Sequence, residues 1–493
     1  MGNMQMPGNP RYQPKGLVPY FGYDRNAHFL VKVELAGLRT LHEIGVIPDA
    51  DIAHLTPELE AQLLAITTSE MDIVEREVTK HDIRALVQIM QGRMQACPSL
   101  ARWVHIPFTS FDVLDTARAV QYRDAHRGVI RPKVREVLAL LAAKAKEHAK
   151  TLQIGRTHGQ HALPITAGLW LATILSRLHV TAIAMNASVL ALAGKASGAV
   201  GACNAQVGLG IDELCGDLTF EERVLERLGL PSIGCVLLST QIVAPESLAF
   251  YLENVASATA VLGQFGRDCR NLMRSEIMEV GEPFAAGQVG SSTMAHKRNP
   301  INFENLEGMW ERTKAELGKI SSIRVSEHQR DLVGSSVMRD LPIIPINLCQ
   351  QLDTLLRRKG SEPCFLEKIS IDKESCLRNL RKEGDFILAE PMYIALQMAG
   401  YEGDAHHVVN HRAIPLAREK GISLHAAMSE HVVPSEPALQ KAWESISPKV
   451  RSRFLLPEEY VGQSEKKTLE LVELVCERLE RSSGMNGDVP DLP

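Results

Sequence analysis

The sequence has no excess of positive charge. Its 493 residues include 54 lysines and arginines against 59 acidic residues, which gives a formal net charge of −5. A protein that neutralises a phosphate backbone needs clustered basic residues, so nucleic-acid binding is not indicated. Aromatic residues are also scarce, at 5%. Because strands favour aromatic and β-branched side chains, this composition favours packing of helix on helix over a β-sandwich.

The chain has few cysteines, and they stand apart from one another. Nine occur in the whole sequence, and no two of them form a CxxC pair. In a chain of this length, that pattern is typical of reduced thiols in the cytoplasm and not of a disulfide framework. We therefore expect a cytoplasmic protein.

Uninterrupted apolar runs are missing as well. The first twelve residues, MGNMQMPGNPRY, lack the apolar core of a signal peptide. The most apolar stretch, residues 167–193, is interrupted by Arg177, His179 and Asn186. We therefore expect a buried helix there and no association with a membrane.

Proline is absent from three long stretches, at residues 166–195, 246–282 and 301–340. These lengths greatly exceed the usual three-turn helix, and they are typical of a bundle of very long antiparallel helices. No run of residues shows the alternation of a strand. The expected fold is all-α, with three domains: a helical N-terminal domain (1–111), a central long-helix bundle (112–364) and a helical C-terminal domain (365–493).

Three polar, glycine-rich stretches interrupt this helical pattern and carry the reactive side chains. The longest is GQVGSSTMAHKRNPINFE, residues 287–304, where Ser291 and Ser292 stand near Lys297 and Asn299. Lysine and asparagine suit a carboxylate that gains charge when the neighbouring carbon loses a proton. Glycines allow such a loop to approach a ligand closely.

The other two stretches supply complementary groups. GRTHGQHALP, residues 155–164, contains His158, a residue type that donates protons near neutral pH, and Glu304 could orient its imidazole if the two meet. TSFDVLDTA, residues 109–117, offers the hydroxyls of Thr109 and Ser110 to a second carboxylate. A serine base, a histidine acid and several carboxylate-binding groups suit an anti-elimination from a succinyl group.

Other interpretations of these residues were weighed. GRTHG does not predict a dinucleotide-binding site, because we expect no strand before it. His407 and His411 stand four residues apart, as metal ligands on a helix do, but no third ligand is nearby and the glutamate of an HExxH motif is missing. We expect neither a metal nor a cofactor. A serine pair in a glycine-rich loop can also be no more than a turn.

The stretch GSSTMAHKRNP resembles the signature loop GSxxMxxKxN of the fumarase/aspartase superfamily. The matching positions are Gly290, Ser291, Met294, Lys297 and Asn299. The other two stretches resemble the superfamily's other active-site segments, and they occur in the same order. The resemblance implies a three-domain helical fold whose central domains form one bundle in a homotetramer. It also implies that each active site draws its segments from three subunits.

Within the superfamily, the chain is similar to the adenylosuccinate lyases. This second resemblance rests on Arg11-Tyr12, TKHD at residues 79–82, WVHIPFTSFDVLDTA, STQ at residues 239–241 and HQRDLVGSSVMRDLP at residues 328–342. It covers most of residues 10–460, and it implies that His81 is a catalytic residue beside a nucleotide.

The same resemblance implies which residues bind the substrate, a small-molecule nucleotide. The phosphate is held by Arg11, Tyr12, Ser335 and Arg339, and guanidinium groups and hydroxyls suit phosphate oxygens. The remaining substrate contacts are Lys80, Asp82, Thr109, Ser110, Thr157, Gln241, Lys297, Asn299 and Arg330.

A mechanism also follows from the resemblance. Ser291, with Ser292 beside it, removes the proton next to one carboxylate of the succinyl group. His158, paired with Glu304, protonates the departing nitrogen. Fumarate is then released from adenylosuccinate, which leaves AMP, and from SAICAR, which leaves AICAR, in purine biosynthesis. Which of the two serines is the base stays open at this point.

Several alternatives remain. The signature loop usually has Pro where this chain has Ala295, and the family usually has Arg where Lys80 stands. Argininosuccinate lyase and 3-carboxymuconate cycloisomerase are sister enzymes; the phosphate-binding residues argue against the first, whose substrate has no phosphate, but not against the second. A non-catalytic, crystallin-like structural protein is a further alternative, against which the intact Ser291, Lys297 and His158 argue.

Overall fold

Helices dominate the structure. The computed structural model describes residues 6, 9–231, 238–283, 294 and 296–484, with side chains as far as residue 481. The predicted all-α fold is confirmed, and two short two-stranded antiparallel sheets are added to it. Where the sequence predicted three long unbroken stretches, the structure has helices of 22 to 27 residues.

The α-helices of the N-terminal part are short, apart from α2. They are α1 (Val18–Phe21), α2 (Asn26–Glu43), α3 (Asp49–Ile52), α4 (Pro57–Leu64), α5 (Thr68–Val74), α6 (Asp82–Arg93) and α7 (Pro98–Ala101).

The central part contains the long helices and three of the strands. Its elements are α8 (Ser110–Ala125), α9 (Arg131–Glu147), β1 (Leu152–Thr157), β2 (Gln160–Thr166), α10 (Ala167–Leu190), α11 (Asn204–Gly208), α12 (Phe220–Arg227), α13 (Glu246–Leu272), β3 (Val280–Gly281), α14 (Ile301–Ser322), α15 (Val333–Met338) and α16 (Ile343–Leu356). A π-helical turn at His126–Ile130 joins α8 to α9.

The C-terminal part is again built from short helices, except for the last one. Its elements are α17 (Phe365–Lys368), β4 (Ser370–Ile371), α18 (Lys373–Arg381), α19 (Ala389–Met398), α20 (Ala405–His407), α21 (Ile414–Lys420), α22 (Leu424–Ala426), α23 (Pro437–Ser445), α24 (Pro448–Ser452) and α25 (Ser464–Gly484). A separate hydrophobic core forms within residues 392–454, whereas Val472 and Val475 of α25 belong to the core of the bundle.

Close packing of α13 against α14 forms the centre of the bundle. Gly266 lies so near α14 that a Cβ atom there would stand 2.6 Å from the carbonyl oxygen of Phe303. Gly263 similarly faces Trp310, with 2.6 Å between such a Cβ and the Cβ of the tryptophan. Small residues at these positions allow the two long helices to approach closely, so α14 is held firmly against α13.

The helix α10 is a core element of this bundle. Among the described helices, it alone is long and apolar enough to cross a membrane, and half of the apolar window is buried inside the protein. It packs against α9, α13 and α25. Its Trp170 stacks on Phe265 of α13 and donates a hydrogen bond of 3.0 Å to Asp268.

The expectation that no strand precedes GRTHG was wrong. Strands β1 and β2 form a hairpin in which Leu152 pairs with Thr166 and Thr157 pairs with Gln160. The two residues between the strands, His158 and Gly159, have φ angles of 54° and 77°, and positive φ at both positions is the mark of a tight hairpin turn. The two-residue turn defines this hairpin, whereas no alternation of apolar residues marks its strands. A second strand follows instead of a helix, so the dinucleotide reading stays excluded.

Two of the proline-free stretches end as helices earlier than predicted. The helix that begins at Glu246 ends at Leu272, and the chain reverses through Met278, which has a φ of 53°. The helix that begins at Ile301 ends at Ser322. Further along the same stretch, the carboxylate of Asp331 accepts hydrogen bonds from the backbone N–H groups of Glu327 and Val333, and such side-chain bonds favour a turn over a helix there.

Candidate active site

Thr109 and Ser110 lie at the N-terminal end of α8, where Asp112 holds the chain. The backbone N–H and the hydroxyl of Thr109 donate hydrogen bonds of 2.7 and 3.0 Å to Asp112 Oδ2. The first turn of a helix has free N–H groups and attracts anions. The two predicted carboxylate-binding hydroxyls are thus placed at an end of a helix that favours negative charge.

The carboxylate of Asp112 is itself held by Lys195, and neither side chain has any exposed surface. The Nζ of Lys195 donates to Asp112 Oδ1 and, at 2.9 Å, to the carbonyl oxygen of Gly198. The backbone of Lys195 also exchanges two hydrogen bonds of 2.8 Å with the hydroxyl of Thr116. Our sequence reasoning missed Lys195; a lone lysine between glycine and alanine in an apolar stretch was the available signal.

A second buried carboxylate anchors the loop that leads into Thr109. The Nδ1 of His105 lies 2.7 Å from Glu34 Oε1 of α2, and the Glu34 side chain has no exposed surface. His105 has a φ of 74°, a conformation that costs energy for a residue with a Cβ and persists only when its surroundings hold it. No local sequence pattern marks this pair, because 71 residues separate the two side chains.

Gln241, Arg330 and Ser335 form a cluster beside this helix end. The guanidinium of Arg330 donates to Gln241 Oε1 at 3.5 Å and to Ser335 Oγ at 2.5 Å. It also stacks on Phe111, with 3.3 Å between the guanidinium carbon and the ring centroid. Because Phe111 directly follows Ser110, the structure brings three predicted substrate contacts to the same end of α8.

The segment from Lys80 to Asp82 lies near the same cluster. Burial lowers the pKa of Arg330, and the negative charges of Asp115, Asp331 and Asp82 act in the opposite direction. His81 is the exposed N-cap residue that directly precedes α6, with its Nδ1 3.2 Å from Asp82 Oδ1. Lys80 has a φ of 53° and donates to the backbone carbonyl of Arg76.

Thr157 and His158 occupy the exposed tip of the hairpin. The strand that carries them is fixed by Arg156, whose guanidinium donates hydrogen bonds of 2.6 and 3.1 Å to the two oxygens of Glu279. The Glu279 side chain has no exposed surface, and that of Arg156 is 14% exposed. The strand that carries the tip is therefore held in place by this buried ion pair.

Asn299 and Glu304 flank the start of α14, and Lys297 precedes them in a turn in which its backbone N–H donates to Met294. Lys297 and Glu304 are exposed, and Asn299 is half-buried. The catalytic candidates Ser291 and Ser292, together with Ala295, lie outside the described residues.

Arg11 and Tyr12 lie in the N-terminal part of the chain, and Arg339 directly follows α15, four residues from Ser335. Arg11 is exposed in a short 3-10 turn, and the ring of Tyr12 lies beneath the guanidinium of Arg312 of α14, 5.4 Å away. Arg339 is exposed at the end of α15. Within the described residues, no hydrogen bond joins these three side chains to Ser335.

The predicted pair of His158 and Glu304 does not form within one chain. No hydrogen bond or ion pair between described residues joins them, nor does one join Lys297 or Asn299 to Thr109 or Ser110. The predicted groups of the site are carried by three elements of the single chain: the hairpin tip, the start of α14 and the N-terminal end of α8.

The two histidines considered as metal ligands do contact each other. The ring centroids of His407 and His411 are 5.0 Å apart. In the described part of the chain, no three histidine, cysteine, aspartate or glutamate side chains stand close enough to hold a metal ion together.

Known proteins are similar to this chain in both sequence and fold. A family model described as a lyase matches residues 50–313. The adenylosuccinate lyase of Archaeoglobus fulgidus is 30% identical over 474 residues, which cover 95% of this chain and 98% of that protein. The N-acetyl-S-(2-succino)cysteine lyase of Dickeya dadantii is 29% identical and covers 90% of each chain.

A solved structure extends the comparison to three dimensions. The 3-carboxy-cis,cis-muconate lactonizing enzyme from Pseudomonas putida superposes with a TM-score of 0.76 at 25% identity, and the match covers 95% of this chain and 98% of that one. The similarity spans nearly the whole length of each of these proteins.

Proposed function

Because this chain belongs to the lyase family and the fumarase/aspartase superfamily, and is therefore an enzyme, we propose that it catalyses β-elimination of fumarate from adenylosuccinate. The single observation that carries this proposal is 30% identity to an adenylosuccinate lyase along almost the whole chain. We extend the proposal to SAICAR, the second succinyl substrate of purine biosynthesis. The enzyme would then be a carbon–nitrogen lyase of the cytoplasm.

The proposed chemistry is acid–base elimination. Ser291, or its neighbour Ser292, takes the proton from the carbon next to one succinyl carboxylate. The electron pair of that C–H bond forms the C=C bond of fumarate as the C–N bond breaks. His158 gives a proton to the departing nitrogen. A serine hydroxyl is a weak base on its own and needs stabilisation of its alkoxide, for which Lys297 supplies a positive charge. The elimination balances without a cofactor or metal.

The remaining site residues would hold the substrate. The two carboxylates are bound by Thr109, Ser110, Lys297 and Asn299. The partial positive charge at the N-terminal end of α8 favours a carboxylate beside Thr109 and Ser110. Arg11, Tyr12, Ser335 and Arg339 hold the phosphate. Further contacts come from Lys80, Asp82, Thr157, Gln241 and Arg330, and His81 is the remaining catalytic residue of the proposal, beside the nucleotide. The cluster around Arg330 supports this assignment, because Arg330 contacts Gln241 and Ser335 and stacks on Phe111, the residue that follows Ser110.

We further propose a homotetramer with shared active sites. The support is that His158 and Glu304 are exposed and unjoined in a single chain, although the proposed mechanism needs them together. Two subunits would bring the hairpin tip of one chain to the start of α14 of another. In this assembly, residues 1–111, 112–364 and 365–493 act as the N-terminal, bundle and C-terminal domains.

A second candidate function is elimination of fumarate from a succinylated thiol. The observation that favours it is the relative from Dickeya dadantii, whose identity and coverage are nearly those of the adenylosuccinate lyase. The same base and carboxylate grip would serve, since fumarate is the common product. The phosphate-binding residues would then have no ligand. Cycloisomerisation of a carboxymuconate is a further candidate, favoured by the structural match.

The experiment that separates these candidates is a comparison of kcat/KM on adenylosuccinate, N-acetyl-S-(2-succino)cysteine and 3-carboxymuconate with one preparation of enzyme. We expect adenylosuccinate to exceed the others by at least about 100-fold, which corresponds to nearly 3 kcal/mol of transition-state binding. Preference for the thiol substrate would overturn the nucleotide assignment and retain the elimination chemistry.

A further inference from the structure

A four-residue segment, Glu279–Glu282, connects two functional elements of the chain. We refer to it as the strap. Its middle residues form β3, in which Val280 pairs with Ile371 and Gly281 pairs with Ser370. The strap lies between the end of α13 and the stretch that precedes α14, and it begins and ends with a buried carboxylate: Glu279 has no exposed surface and Glu282 is 6% exposed.

The first carboxylate fixes the hairpin. Besides the two hydrogen bonds from Arg156, Glu279 accepts one of 2.8 Å from Gln153 Nε2 of β1 and one of 2.8 Å from Asn379 Nδ2 of α18. Four donors from two elements thus converge on one carboxylate. A bidentate guanidinium–carboxylate pair restricts orientation as well as distance, and Arg156 is only two residues from His158.

The second carboxylate fixes the start of α14. Glu282 Oε1 accepts hydrogen bonds of 2.7 and 2.8 Å from the backbone N–H groups of Asn302 and Phe303, and Oε2 accepts one of 2.8 Å from Asn302 Nδ2. The residue that precedes the helix, Pro300, provides no side-chain cap. Glu282 therefore satisfies two of the free N–H groups that a helix start exposes, and both lie in sequence between Asn299 and Glu304.

We propose that Glu279 and Glu282 are positioning residues for the elimination reaction. Glu279 acts through Arg156 on the hairpin tip and its proton donor, His158. Glu282 acts through the first turn of α14 on Glu304 and Asn299. This inference rests on the proposed function. Its physical basis is that misplacement of a catalytic group by about 1 Å can cost about 100-fold in rate.

The two carboxylates differ in what a substitution removes. Glu279→Gln keeps the size of the side chain but directs an amide NH₂ at the donors of Arg156 and Asn379, so the hairpin loses its anchor. Glu282→Gln keeps an oxygen that can accept from Asn302 and Phe303 and is the conservative variant, whereas Glu282→Ala removes the acceptors altogether.

The test is a pair of double-mutant cycles read by kcat on adenylosuccinate. We expect Glu279→Gln to lower kcat about 10- to 100-fold in the wild-type background, with KM changed less than about 3-fold, because Thr157 is the one proposed substrate contact on the displaced hairpin tip. In a His158→Gln background, the same change should cost less than about 2-fold, since residues that act through one group are not additive. Glu282→Ala should follow the same pattern in a Glu304→Gln background, and Glu282→Gln should restore most of the rate.

A matched control comes from another carboxylate that caps a helix from a distant segment. Asp24 accepts hydrogen bonds of 3.1 and 2.6 Å from the backbone N–H and hydroxyl of Ser69, in the first turn of α5. Asp24→Asn should lower the melting temperature while leaving kcat within about 2-fold of the wild type. If Glu279→Gln does not fold, Arg156→Lys serves in its place, because it keeps the charge and loses the bidentate geometry.

The outcomes separate the inference from the proposed function. Equal fractional losses in the wild-type and His158→Gln backgrounds would overturn the positioning role, as would unchanged kcat in both strap variants. If the wild-type enzyme released fumarate only from another succinyl substrate, the nucleotide assignment would fail and the same cycles on that substrate would decide the inference. Absence of any elimination would overturn both.

Discussion

Lys195 and Asp112 form an ion pair with no exposed surface, and Asp112 is in turn hydrogen-bonded to Thr109. The aspartate holds the backbone and hydroxyl of Thr109, and the lysine holds the aspartate. An ion pair taken fully out of water is a weak source of net stability, but loss of one partner leaves an uncompensated buried charge. The pair therefore ties the folding of the central bundle to the placement of a proposed carboxylate-binding segment.

Replacement of Lys195 should be strongly destabilising. We expect Lys195→Met to lower the free energy of unfolding by about 3–5 kcal/mol, because Asp112 stays buried without its partner. Urea unfolding at fixed protein concentration measures this. The exposed pair of Lys314 and Glu311 supplies the control, since Lys314→Met should change stability by less than about 1 kcal/mol. Equal effects of the two substitutions would contradict the account.

The two signature-loop serines should separate clearly by mutation. If Ser291 is the base, Ser291→Ala should lower kcat by about 10²–10⁴-fold, the usual contribution of a positioned general base, while the nucleotide still binds. Ser292→Ala should cost less than about 10-fold. Turnover and equilibrium binding of AMP are the two measurements. The reverse order of effects would make Ser292 the base, and near-normal turnover of both variants would remove the serine base from the mechanism.

Arg339 tests the proposed phosphate site. We expect Arg339→Gln to raise KM for adenylosuccinate about 10- to 100-fold, since a charge-assisted pair with phosphate is worth about 1.5–3 kcal/mol. The inhibition constant of fumarate, which has no phosphate, should stay within about 2-fold. Initial rates at varied adenylosuccinate concentration, with fumarate added as a product inhibitor, give the KM and the inhibition constant. A parallel rise for fumarate would place Arg339 at the carboxylates instead.

His126 should make the protein less stable in acid. Burial lowers the pKa of this imidazole to about 4, a nearby Asn186 acts against the shift, and the charges of Arg131 and Arg127 add to it. Because the pKa of His126 is lower in the folded chain than in the unfolded chain, the unfolded chain binds the proton more tightly than the folded chain does. The stability that is present above about pH 6.5 is therefore lost as pH falls towards 4, by about 3 kcal/mol.

This pH dependence can be assigned by substitution. His126→Gln should flatten the loss of stability between pH 7 and pH 4, whereas replacement of the exposed His54 by Gln should leave it unchanged. Denaturant unfolding over this pH range measures the slopes. A loss of the same size in the His126 variant would show that other groups carry the acid sensitivity.

Much of the architecture could be predicted from the sequence. The absence of proline and the abundance of alanine and leucine indicated long helices, and α10, α13 and α14 are such helices. The ends of α13 and α14 were missed because no proline marks them: these helices end at Leu272 and Ser322, inside the proline-free stretches. The hairpin was missed because its two-residue turn, with positive φ at His158 and Gly159, defines it without an apolar alternation.

The site could be predicted only in part. Residue types and a signature loop predict His158, Lys297 and Glu304 as site residues, and this stays a prediction. Spacing could not reveal the buried ion pairs that hold the hairpin and the start of α8. Glu279 lies 123 residues from Arg156, and Asp112 lies 83 residues from Lys195. Such pairs arise from packing of distant elements, so no local pattern marks them. The predicted contact between His158 and Glu304 needs a second chain in our proposal.

The most direct test of the central proposal is product analysis after incubation of the purified enzyme with adenylosuccinate. We predict that fumarate and AMP form in equimolar amounts as the succinyl nucleotide disappears, and that Ser291→Ala with Ser292→Ala in one chain abolishes both products. Release of fumarate from a succinylated thiol, with adenylosuccinate left intact, would contradict the assignment of a nucleotide substrate.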